Sequence, residues 1–347
     1  MRNLFFWTGL VVAGLLIGAT GTAGGMHAIG IRGPSAGVQL DGTEVLAAGL
    51  NTSDRAHGAG KAGKAVQSTG DGRGIRTQPR PTPEPPPAPP KSFFDDHQVV
   101  SYYGHPLSGL LGALGQGTES QMLDRLKAEV AAYQAINSEK QVVPGLHLLY
   151  EVAQQFTSDD GLYLYRTDDA TLQHYIQVTQ QEGMLLFLDL QIGRSSLANE
   201  LQYVLPYLRQ PNVHLAIDPE FVTPPGTRPG LLIGTLDCLD INVAIQQVEA
   251  FTERERLPNK IVIVHQFQDD MLTNKDQLDL SEPRVDVVLN MDGFGPQETK
   301  LNNYDSLVRQ AGMKYGGIKL FYKQDTNLLS EQQIEDLDPR PVVIIYQ

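Results

Sequence analysis

The chain has 347 residues, 41% of them hydrophobic and 19% charged, with a formal net charge of −13. That composition suits one large domain or two small ones with an ample core. Residues 1–92 carry more Lys/Arg than Asp/Glu, so residues 93–347 are acidic, which disfavours nucleic acid and anionic lipid as partners. A single cysteine, Cys238, excludes internal disulfides and a Cys-rich metal site.

Met1-Arg2-Asn3 precedes an apolar stretch, Leu4-Phe5-Phe6-Trp7 and then Leu10 to Ile17, and small residues follow from Ala19 to Gly25. This is the layout of a secretory signal, and the stretch is also just long enough to cross a bilayer. Residues 1–25 are therefore expected to be a cleaved signal peptide or a retained membrane anchor, with a buried helix as the remaining reading. The protein is expected to be bacterial, and secreted or anchored outside the cytoplasm. Residues 26–92 are rich in Gly, Ala, Thr and Pro. They read as a disordered linker, with the proline-rich stretch from Pro79 to Pro90 as a stiff spacer. Asn51-Thr52-Ser53 matches a glycosylation acceptor.

From residue 93 to 347 the pattern changes to short apolar runs alternating with helical periodicity. Strands are expected at 98–103, 143–149, 184–190, 213–218, 261–266, 285–290, 316–321 and 341–345. Helices are expected near 119–137, 171–181, 197–207, 237–255, 302–311 and 330–336. Eight such β/α units over this length predict an α/β fold, a closed (β/α)8 TIM barrel. A doubly wound sheet is the competitor, but Tyr102-Tyr103-Gly104-His105-Pro106 after the first strand carries no dinucleotide fingerprint.

In a barrel the carboxyl ends of the strands converge on one face. There the sequence places Tyr103 and His105, His147 and Tyr150, Asp189 and Gln191, Asp218 and Glu220, His265 and Gln266, Asp292, and Lys319 with Tyr322. The run Val213-His214-Leu215-Ala216-Ile217-Asp218-Pro219-Glu220 stands out, because carboxylates end an apolar strand where a buried charge is expensive. Glycosidic hydrolysis needs one protonated carboxyl group and a second carboxylate that activates water or attacks carbon. Glu220 is the expected acid, held by Asp218, if strand alternation persists past Pro219. Asp189 and Asp292 are expected to oppose it or hold substrate hydroxyls. Tyr103, His105, Tyr150, Gln191, His265, Gln266 and Tyr322 are the expected substrate contacts. This reading needs no cofactor and no metal.

Asp218-Pro219-Glu220 resembles the end of the Asp-x-Asp-x-Glu signature of chitinase-like barrel glycosidases, and is similar to the Asp-x-Glu of muramidase-type barrels. The resemblance implies that Glu220 is the acid and that Asp218 orients an acetamido group. Ala216 and Val213 stand where the longer signature has aspartates, and the only tryptophan is Trp7. The chain also resembles uncharacterised bacterial secreted proteins with Tyr-Tyr-Gly-His-Pro-Leu, Leu-Asp-Leu-Gln, Asp-Pro-Glu and Val-His-Gln-Phe segments, here at 102–107, 188–191, 218–220 and 264–267. The expected partner is a carbohydrate or cell-envelope ligand, and the protein is expected to be a monomer. Two other accounts compete: a non-catalytic surface protein binding glycans or peptides, and a metal hydrolase using His105, His147, His265 and nearby carboxylates.

Overall fold

A computed structural model describes residues 91–347. The signal or anchor at 1–25, nearly all of the linker and the acceptor at Asn51 lie outside the described residues. In chain order the elements are β1 (His97–Gly104), α1 (Glu119–Ile136), β2 (Gln141–Ala153), β3 (Leu164–Arg166), α2 (Asp169–Gln181), β4 (Leu185–Leu190), α3 (Leu197–Val204) and β5 (Val213–Ile217). They continue with β6 (Leu236–Asp237), α4 (Cys238–Glu255), β7 (Lys260–Gln266), β8 (Leu272–Thr273), β9 (Val285–Met291), α5 (Gln297–Tyr304), β10 (Gly316–Leu320), α6 (Glu331–Glu335) and β11 (Val343–Tyr346).

β1 pairs in parallel with both β2 and β11, which closes the sheet. The remaining order is β11-β10-β9-β7-β5-β4-β2, all parallel. The eight expected strands therefore form an eight-stranded parallel barrel surrounded by helices. Each is mostly apolar on both faces because both are covered, the inner by the barrel core and the outer by helices. Phe187, Ala216, Ile263, Val288 and Ile345 share the inner cluster. Leu186, Leu188, Leu215, Val264 and Ile344 share the outer one with the helices.

The helices begin where their caps stand. Thr118 Oγ1 accepts from Gln121 N (3.3 Å) while Gln121 Oε1 accepts from Thr118 N (3.0 Å), a reciprocal cap that starts α1. Ser330 and Gln333 repeat the device at α6.

Three short strands were not expected: β3, antiparallel to β2, and the pair β6–β8. The helix expected at 302–311 starts earlier, at Gln297, and passes into a π-helical segment, Asp305–Arg309. Strand geometry also stops at Ile217, because Pro219–Phe221 form a 3-10 turn. Among the described residues no helix is long and apolar enough to cross a membrane.

Candidate metal centre

Strand alternation decides which side chains enter the barrel mouth. In β4, Phe187 lies in the inner cluster and its neighbours Leu186 and Leu188 in the outer one, so Asp189 points inward at the strand end. Neighbouring strands add His147 from β2, His265 from β7, Asn290 from β9 with Asp292 beyond its end, and Lys319 from β10. Gly317 makes room for one of them, since a Cβ there would lie 2.4 Å from Asn290 Oδ1.

Three of these groups converge on a point. His147 Nε2 lies 2.8 Å from Asp189 Oδ2, His265 Nε2 lies 3.1 Å from the same oxygen, and the two ring nitrogens are 3.2 Å apart. All three residues are buried, and together they form a group able to hold a metal ion. Ligand atoms about 2.1 Å from a metal stand roughly 3.0–3.4 Å from one another, so the triangle needs little rearrangement to accept one. The other nitrogen of His265, Nδ1, donates to Asp292 Oδ1 at 2.8 Å, the carboxylate–histidine arrangement that orients a metal-binding imidazole. Asp292 also receives Lys319 Nζ at 3.1 Å and the Asn290 amide. Lys319 Nζ stands 3.5 Å from the centre of the Tyr103 ring, whose edge also meets His265.

The electrostatics are those of a crowded, dry site. Burial pushes the His147 imidazole down to about 4 against the pull of Asp189, so it is neutral at pH 7. Burial would also lower His265, but Asp292 and Asp189 outweigh it and raise the ring to about 10. Burial opposes ionisation of both carboxylates, yet the two histidines hold Asp189 well below its usual range, while His265 and Lys319 hold Asp292 down at about 2. Five buried atoms of the cluster and its cleft have no hydrogen-bond partner: His147 Nδ1, Asp189 Oδ1, Asn290 Oδ1, Glu220 Oε1 and Gln347 Oε1.

Above the cluster an open cleft is lined by Tyr103, Gln191, Asp218, Glu220, Lys319 and Gln347, among others. Gln191 is fixed because its Oε1 accepts from Ala153 N at 2.8 Å. Asp218 Oδ1 accepts from Glu220 N at 3.2 Å, capping the turn through Pro219. Burial, then the charge of Asp189, raises Asp218 to about 7. Burial, then Asp218, raises Glu220 well above the ordinary carboxylate value, which favours its protonated form.

Of the candidates named from sequence, Tyr103, Gln191, Asp218 and Glu220 line the cleft, and Asp189, His265 and Asp292 lie beneath it. Four go elsewhere. His105 is buried in the β1–α1 loop, where Nδ1 accepts from Leu107 N (3.2 Å) and Nε2 meets Thr167 Oγ1 (3.0 Å). Tyr150 faces outward and packs on Tyr207, with ring centres 6.1 Å apart. The Gln266 side chain donates to Gln268 O (2.9 Å) and accepts from Lys275 Nζ (2.8 Å) on the outer side of β7. Tyr322 stacks on Tyr346 and donates to Glu129 at 2.8 Å. His147, considered only for the metal alternative, and Lys319 join the centre; their inward parity was the signal.

No protein-family model matches the chain, and no curated protein does. Among solved structures, it is similar to 2,3-dimethylmalate lyase, a PEP mutase/isocitrate lyase superfamily member, at 11% identity over 73% of this chain and 76% of that one, with a TM-score of 0.38. It is likewise similar to Bacillus subtilis mannanase man26, at 10% identity over 72% and 78%, with a TM-score of 0.38. At that level of likeness the barrel rests on its own strand register.

Proposed function

We propose that the protein is a metal-dependent hydrolase whose divalent ion would be held by His147 Nε2, Asp189 Oδ2 and His265 Nε2, the last releasing its proton to solvent as the ion binds. The observation that carries this reading is the convergence of those three donor atoms, from three strands, at 2.8–3.2 Å from one another. When bound, such an ion supplies a Lewis acid and a water of lowered pKa. The chain's own residues would do the rest. Asp292 orients His265 through Nδ1. Protonated Glu220 donates to the leaving group from the cleft wall, and Asp218, titrating near neutrality, exchanges protons beside it. Lys319 offers positive charge to a developing anion, and the Tyr103 ring beside it forms part of the cleft wall.

A carbohydrate-cleaving site is the second reading, favoured by one observation: Glu220 lines the cleft with its Oε1 unpartnered. Against it, the carboxylates expected to oppose Glu220 are already engaged, Asp189 by two histidines and Asp292 by His265 and Lys319. The two readings part on metal. Full-length protein is expected to carry one divalent ion per chain by elemental analysis, and to lose hydrolysis of its best ester, amide, phosphoester or glycoside substrate in chelator. Hydrolysis that persists in chelator and disappears in Glu220→Gln would transfer the assignment to the carbohydrate reading. The proposal extends to an exported or anchored barrel at 93–347 behind a signal or anchor and a linker, working as a monomer on a cell-envelope ligand.

A further inference from the structure

We infer that the substrate is amphipathic, a polar head carrying an acyl- or prenyl-like tail, with the head in the cleft and the tail on an apolar rim around it. The inference rests on the reading of the cleft as the active site. Five large apolar side chains stand on loops at the barrel mouth: Leu107 and Leu110 between β1 and α1, Phe156 between β2 and β3, and Leu231 and Leu232 between β5 and β6. They are 55–71% exposed, whereas the next aliphatic side chains, Leu239 and Val243, reach 47%.

Soluble surfaces scatter exposed apolar groups singly, as with Tyr203 on α3 (55%); five of them on loops at one end call for a ligand or partner. Continuity with the cleft selects the ligand. Leu110 is itself part of the cleft wall, Phe156 directly follows the lining residue Gln155, and Leu231 directly follows the lining residue Gly230. The deeper groups, Gln191, Asp218, Glu220 and Lys319, are polar or charged. The cleft wall also holds buried apolar Leu111 and Leu149, so a ligand matching cleft and rim carries a polar head for the charged groups and an apolar tail for the rim. A long glycan fits less well, because no tryptophan occurs in residues 93–347 to offer a broad stacking platform.

The test measures binding of a homologous series of alkyl hydroxamic acids, from two to twelve carbons, to full-length protein loaded with zinc and to protein stripped by chelator. Each compound is kept below its critical micelle concentration. Between six and twelve carbons, affinity is expected to rise about tenfold or more. In the F156S/L231S/L232S variant, which changes only exposed side chains, that rise should vanish while acetohydroxamate binding stays within twofold. The slope with tail length reads the rim, and the loss on stripping reads the metal. A slope that disappears in the variant without any metal effect supports the tail and sinks the metal assignment. A flat series, or a slope unchanged in the variant, overturns the tail whatever the metal does. Wild-type self-association lost in the variant would assign the rim to a second copy of the chain, and overturns it too.

Discussion

Both ends of the barrel bury charge, but they treat it differently. At the amino-terminal end, Lys260 is buried and its ammonium donates to three backbone carbonyls, Gln210 O (2.7 Å), Pro211 O (3.3 Å) and Val213 O (2.9 Å). His214 Nδ1 beside it accepts from Ile261 N at 3.1 Å, and Asp286 accepts from Phe93 N at 2.9 Å. None of the three leaves a buried polar atom unpartnered. At the carboxyl end, His147, Asp189, Asn290 and Glu220 are just as buried and each leaves an atom without a partner, and the carboxyl groups of Asp218 and Glu220 are pushed upward. Folding alone favours the first arrangement, since an unsatisfied buried group costs about 1–3 kcal/mol. The second is retained where the groups are held for something other than folding.

Exchanging the chemistry of each end is the strongest way to break this contrast. In H147L/D189L/H265L, divalent-ion binding should disappear, while stability in chelator, read by chemical denaturation, should hold or rise, because a buried polar cluster replaced by apolar groups is often neutral or stabilising. Lys260→Met should do the reverse. It takes a donor from three carbonyls, of which Gln210 O keeps Val213 N, and should cost about 2–3 kcal/mol, with metal affinity within twofold of wild type. If the triple variant is destabilised as much as Lys260→Met, the mouth cluster is structural and the contrast fails.

A milder change sharpens the same comparison. Asp292→Asn keeps the shape beside His265 Nδ1 but removes the charge that orients and polarises the ring. Metal affinity by calorimetry should fall about 10–100-fold. An unchanged affinity would mean that His265 binds no ion.

Most of the fold was legible in the sequence. The eight apolar runs were bounded by caps and turns, and their number and spacing left few ways to close a parallel sheet. The site was legible only in part. Reading strand ends as a group caught Asp189, Asp218, Glu220, His265 and Asp292, but it also gathered Tyr150, Gln266 and Tyr322, which face the helices. Strict alternation would have removed Gln266, since His265 is inward and its neighbour must be outward. It would also have promoted His147, two residues from inward-facing Leu149. Tyr150 was harder, because the β2–β4 register shifts between Leu149 and Glu151. The partnership of His147, Asp189 and His265 was beyond any local pattern: residues 42 and 118 positions apart meet only when the barrel closes.

The smallest expected effect concerns Asp218, which lines the cleft above the His147–Asp189–His265 cluster. Its folded-state pKa, about 7, is above the ordinary aspartate value of 3.8, so the folded protein holds this proton more tightly than the unfolded chain does. The contribution is fully present below pH 4 and is lost as pH rises through 7. The shift sets a ceiling of about 4 kcal/mol, and sharing of charge with Glu220 reduces the expected value to about 1–2 kcal/mol. Asp218→Asn cannot ionise, so in chelator it should match wild type near pH 4 and exceed it by that margin at pH 8. The measurement is denaturant unfolding of both proteins across pH 4–8, where only the difference between them reports on Asp218. At the amino-terminal end Asp286 is also raised by burial, but it sits under the Phe93 amide. Asp286→Asn should therefore give a smaller difference over the same range. Equal differences at the two ends would mean that burial alone, and not the crowding of charge at the mouth, sets these proton affinities.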